Sequence, residues 1–174
     1  MFRAPGRGRT LAALATGAFL LGWAAPVGAT SGAGASTTGR DEISAYLDGK
    51  PIKASQVANW YCEDFAYPVI NCFSDPAQLE SRAGSFLAAA TGDYVVIYDY
   101  TGYAGSYMYV SQDYTVLALI GWSDRISSLR SINSGQGHFF VDWFYGGNAY
   151  YFCCNTQYPS LGVYDNALSS VHRL

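Results

Sequence analysis

Two six-residue stretches set oxygen donors at a spacing suited to a hard cation. Asp165-Asn166-Ala167-Leu168-Ser169-Ser170 places a carboxylate, an amide and two hydroxyls in one short segment. Ser123-Asp124-Arg125-Ile126-Ser127-Ser128 repeats the arrangement 42 positions earlier, with Ser123 in the leading place. Carboxylate, amide, hydroxyl and carbonyl oxygens are the donors that calcium takes. Nucleophilic catalysis instead needs a nucleophile beside a base. The chain has only two histidines, His138 and His172, and they share no motif with a cysteine or an acid. No nucleophile elbow, phosphate loop or HExxH is present, so the chain reads as non-enzymatic. A finger-type zinc centre lacks its ligand count. The competing explanation for Asp165 and Asn166 is an ordinary turn capped by its own side chains.

The two stretches sit at matching places in a longer repeat. Residues 94–132 and 136–174 align without a gap. Tyr98-x4-Tyr103-x-Gly105 in the first copy recurs as Phe140-x4-Tyr145-x-Gly147 in the second. Runs of β-branched and aromatic residues flank these glycines, notably Tyr94–Tyr98 and Ser106–Val110, then His138–Phe140 and Asn148–Phe152. Short strands joined by Gly-rich turns and duplicated at a fixed period predict an all-β Greek-key sandwich. Twelve of the 15 tyrosines lie between Tyr94 and Tyr164. On alternating strand positions they fill a β core with hydroxyls at its margin.

These residues resemble the βγ-crystallin superfamily, whose motif is a four-stranded Greek key with a folded first hairpin bearing aromatic-x4-aromatic-x-Gly. Two motifs pair into one domain there, and two are present here. The resemblance covers residues 94–174. It implies calcium as the ligand, because calcium-binding members carry [Asn/Asp]-[Asn/Asp]-x-x-[Ser/Thr]-Ser in each motif. By that carry-over the second-copy ligands are Asp165 or Asn166, the Ala167 carbonyl and Ser169. Ser123, Asp124, the Arg125 carbonyl and Ser127 form the first-copy set, and the family's two sites share ligands, so each loop contributes to both ions. Ser128 and Ser170 hold the hairpins. Ser123 replaces the expected acid or amide, which implies unequal sites. With few carboxylates per ion, affinity is expected at about 10⁻⁴ to 10⁻³ M, as in other extracellular modules.

Residues 41–92 fall outside the repeat and read as an N-terminal hairpin and short-helix extension. Trp60–Phe65 and Tyr67–Phe73 predict hairpin arms carrying Cys62 and Cys72. Ser74-Asp75-Pro76 predicts a helix start, and Ala77–Ala90 a helix interrupted near Gly84. Four cysteines allow three connectivities. Cys62–Cys72 is favoured, which leaves the adjacent Cys153 and Cys154 strained or free. The crossed pairings would need thiols that point to opposite faces of one strand.

Residues 1–29 read as a signal peptide cleaved near Ala29: Arg3, Arg7 and Arg9 precede the apolar run Leu11–Trp23, too short to span a bilayer. Residues 30–40 read as a flexible linker. The chain has 10 basic and 13 acidic residues. Without the three leader arginines the net charge becomes −6. No basic face for nucleic acid exists, and no later segment is a membrane span. The expectation is a secreted, extracellular calcium-binding protein in a structural or envelope-associated role. The alternatives are a secreted metalloprotease inhibitor of crystallin-like fold, with Asn133–Gly137 as a candidate loop, or a killer-toxin-like antimicrobial protein.

Overall fold

The computed structural model describes residues 42–89 and 92–174. The signal-peptide and linker expectations fall on residues outside that range. The described elements are β1 (Ser44–Leu47), β2 (Lys50–Ile52), β3 (Tyr61–Ala66), β4 (Val69–Phe73), α1 (Pro76–Ala89), β5 (Tyr94–Tyr100), β6 (Ala104–Val110), β7 (Ser128–Ile132), β8 (Gly137–Phe140), β9 (Ala149–Phe152), β10 (Gln157–Tyr158) and β11 (Ser170–Arg173). Short 3-10 turns link several of them.

The strands form an eight-stranded sheet in the order β10-β7-β5-β6-β3-β4-β1-β2 and a three-stranded sheet in the order β11-β8-β9. The two repeats exchange strands. β10 of the second copy pairs with β7 of the first, Gln157 opposite Arg130. In return Tyr114 of the first copy bridges Val171 of the second. Both sheets pack over one core that includes Val95, Ile97, Met108, Trp122, Leu129, Phe139, Phe152 and Val171.

The β5 run is apolar at nearly every position because both of its faces are covered. Val95 and Ile97 face the sandwich core. Tyr94, Val96 and Tyr98 face the other way, into a second core with Leu79 and Ala83 of α1. The tyrosines therefore fill a core as expected, but much of it lies under the helix. Tyr107 and Tyr109 both donate to the Glu80 carboxylate of α1, at 2.6 and 3.1 Å.

The extension is built into the large sheet. β3 pairs parallel to β6, with Cys62 opposite Met108. It also pairs antiparallel to β4, with Cys62 opposite Cys72. That register places the two sulfurs together, and they form the favoured disulfide. Cys153 and Cys154 are joined to each other. The outer strand β2 carries Lys50 and Pro51, residues that discourage further pairing at an open edge. At the helix start the Asp75 carboxylate accepts the Ala77 N–H at 2.9 Å, with Pro76 in the first turn. The expected break near Gly84 is absent: α1 runs through it. A single helical glycine costs only about 1 kcal/mol, less than the packing of the Leu79 and Ala83 face provides.

Candidate functional site

The folded hairpins come first, because they set where the oxygen-rich loops sit. In each copy the glycine ending the aromatic pattern has a positive φ, +82° at Gly105 and +72° at Gly147. A Cβ at Gly105 would lie 2.8 Å from the Tyr100 ring, and one at Gly147 would lie 2.5 Å from Val141 Cγ2. Only glycine fits both demands. The aromatic pairs close over the turns, with ring centroids 5.5 Å apart for Tyr98–Tyr103 and 5.8 Å for Phe140–Tyr145.

The final serine of each hexad ties its hairpin down, in the structural role the resemblance implies. Ser128 donates to the Tyr100 carbonyl at 2.6 Å and accepts the Tyr103 N–H at 3.0 Å. Ser170 does the same to the Asp142 carbonyl at 2.7 Å and from the Tyr145 N–H at 3.1 Å. Both serines are fully buried.

The hexads then face each other. Asp124 N–H donates to the Leu168 carbonyl, and Asn166 N–H donates to the Ile126 carbonyl. The second residue of each hexad is left-handed, at φ +55° for Asp124 and +53° for Asn166. Short Asx side chains tolerate that region better than most. Ser123 donates to Ser169 Oγ at 2.8 Å, and Ser169 donates to Asp124 Oδ1 at 3.0 Å. On the other side Ser127 donates to Asn166 Oδ1 at 3.3 Å.

Each group therefore draws on both copies. Ser169 of the second copy meets Asp124 and Ser123 of the first. Ser127 meets Asn166. Asp165 is exposed, and its N–H donates to the Gly162 carbonyl. Ala167 N–H donates to the Tyr164 carbonyl. The Arg125 side chain lies over Asp99 as a bidentate pair, at 3.0 and 2.9 Å, and also reaches Asn59 Oδ1. That leaves Arg125 only its carbonyl as an oxygen donor. It also engages the Asp99 carboxylate, a partner that lies outside the hexad pattern.

The donor set fits a weakly held hard cation. The first group offers one carboxylate and two hydroxyls, and the second an amide oxygen and a hydroxyl. Among the described residues no three His, Cys, Asp or Glu side chains come together. A cation here would rely on neutral oxygens and water for most of its shell, which suits calcium better than a softer metal. Also among the described residues, no helix is long and apolar enough to cross a membrane.

No protein-family model matches the sequence, and no curated protein matches it. Solved structures do. A βγ-crystallin from an archaeon is 21% identical, with a TM-score of 0.43, over 48% of this chain and 100% of that one. A βγ-crystallin from Ciona intestinalis is 22% identical, with the same TM-score and the same shares of both chains. A βγ-crystallin domain from Flavobacterium johnsoniae is 24% identical, with a TM-score of 0.41, over 46% of this chain and 92% of that one. The paired folded hairpins, the serine-held turns and the exchanged strands give residues 94–174 the two-motif Greek-key fold of the βγ-crystallin type.

Proposed function

We propose that this chain is an exported, non-enzymatic protein that binds calcium at the paired loops of its Greek-key motifs, in a structural or envelope-associated role. The observation that supports this most is the convergence of Asp124, Ser169 and Ser123 from two hexads 42 positions apart in sequence. Asn166 and Ser127 make the lesser counterpart. The acid in the better-furnished group is Asp124, so substitution of Ser123 does not leave the first loop without a carboxylate. The Arg125 charge near the same loop works against a cation, which keeps the expected affinity modest.

Calorimetric titration of the full chain with calcium is the direct test, together with melting at several millimolar calcium. Saturable binding and a rise of about 5 °C are expected, because a ligand that binds only the native state stabilises it. Asp124→Ala removes most of that rise, and Asp165→Ala removes less. A titration without heat and a melting point indifferent to calcium would sink the proposal.

The inhibitor alternative gains no support from its candidate loop. Ser134 binds Asp93 through both N–H and hydroxyl, Asn133 donates to the Gly92 carbonyl, and Gly135 is buried. These bonds tie the loop to Gly92 and Asp93, while Asn133 and Ser134 themselves stay exposed.

A further inference from the structure

The two histidines lie 34 positions apart in sequence, yet the fold sets them opposite each other. In the three-stranded sheet His172 of β11 is the direct antiparallel partner of His138 of β8. Tyr151 of β9 continues the row on the other side of His138. Phe139, Phe152 and Val171 are buried in the core. Strand alternation therefore turns His138, His172 and Tyr151 to the outer face. Directly opposed residues carry Cβ atoms about 4.5–5.5 Å apart, within the span over which two imidazoles share one ion.

The surroundings prepare one of the pair. Asp113 Oδ2 lies 2.9 Å from His172 Nδ1, and its Oδ1 accepts the Arg173 N–H at 2.8 Å. A carboxylate held on Nδ1 keeps that proton in place. It leaves Nε2 as the donor, as the outer partners of metal-bound histidines do. The His172 side chain is 45% exposed, and the Tyr145 ring packs 5.3 Å from it. His138 is half-buried, with Tyr151 5.1 Å away.

We infer that the outer face of the small sheet binds a borderline divalent transition metal such as zinc, copper or nickel, chelated by His138 and His172, with Asp113 orienting His172. Imidazole suits these ions, and the oxygen-rich loops do not. Asp113 is held on the far nitrogen of His172, and among the described residues no three His, Cys, Asp or Glu side chains form a metal-holding group, so water would complete the shell. A shell open in this way fits a reversible surface site better than a closed structural one. The nitrogen pair and the oxygen-rich loops would thus prefer cations of opposite character.

The probe is zinc chloride, titrated into the full chain by calorimetry and followed by imidazole NMR. The chain has two histidines, so each signal is assigned by one variant. The expected result is one zinc per chain, with both Nε2 resonances moving together. His138→Gln and His172→Gln each weaken binding at least about tenfold, and Asp113→Asn does so by about tenfold. Metal-free melting curves of the three variants that overlay the parent's show that folding is intact. Excess calcium leaves zinc in place. Absence of saturable binding overturns the inference, as does movement of only one imidazole. So does displacement by calcium, which would put zinc in the loops. Loss of binding in a Cys153→Ser, Cys154→Ser double variant would put it on the Cys153–Cys154 pair and overturn the inference equally.

Discussion

Asp64 shows what one residue can do when the fold closes over it. It is fully buried at the contact between the extension and the Greek keys. Its carboxylate accepts the Ser111 N–H at 2.7 Å and the Tyr114 hydroxyl at 2.9 Å. Burial pushes its pKa up from 3.8 to about 6, and the Ser111 and Tyr114 hydrogen bonds and the Arg173 charge pull only partly back. The folded state therefore holds this proton more tightly than the unfolded one. The stability it contributes is fully present below pH 3.8 and is lost as the pH rises through 6, a change of about 3 kcal/mol. Asp64→Asn cannot titrate. Denaturant unfolding at pH 4 and pH 7.5 is expected to show the variant gaining about 2 kcal/mol on the parent between the two. A constant difference would show that Asp64 is not the group responsible. At this scale the two hexads were legible because their donors are local and duplicated. Asp64 and Asp113 were not, because their partners lie 47 to 60 positions away. Asp124 was visible, and the resemblance implied that the loops share ligands, but which side chain pairs with which was not legible, since only the packing of one motif on the other fixes it.

At the scale of elements, each folded hairpin is an independent turn made rigid by one buried hydroxyl. Ser170→Ala deletes both the donor to the Asp142 carbonyl and the acceptor for the Tyr145 N–H. Two partly buried backbone groups of the hairpin lose their partner. Chemical denaturation should register a loss of about 1–3 kcal/mol, with calcium affinity reduced because Ser169 is the neighbouring residue. A loss below about 0.5 kcal/mol would mean water satisfies both groups and the hydroxyl is dispensable. The hairpins were readable from sequence through the glycines, whose positive φ has a residue-type signature. The parallel pairing of β3 with β6 was not readable. Parallel neighbours far apart in sequence have no turn to announce them, and the aromatic run of β3 fits any sheet edge equally well.

For the whole molecule, the extension and the repeats share a core. Val57, Ala58, Cys62, Ile70 and Cys72 pack in the same cluster as Trp122 and Phe139. Ser106 donates to the Ala58 carbonyl at 2.6 Å. Gly121, at φ +79°, allows the Ser55 carbonyl to approach so closely that a Cβ there would lie 2.5 Å from it. A chain cut to residues 94–174 would bare one edge of β6 and much of this core. It is expected to melt at least about 10 °C below the full chain or to aggregate. Equal melting points would show that the extension is an ornament on a self-sufficient domain. The composition shift at residue 92 was visible in sequence and suggested a boundary. The structure puts no break in the core there, because the shift marks the edge of the repeat and not the edge of the packing.

The exchange of β10 and Tyr114 between the copies bears on when this chain can fold. The first motif is incomplete until Tyr114 meets Val171, and β7 lacks its neighbour until Gln157 and Tyr158 arrive. Neither motif has its full set of neighbours until residues of the other copy are in place. Contacts this distant in sequence also form slowly. The interlocking would thus tie closure of the first motif to the arrival of the second.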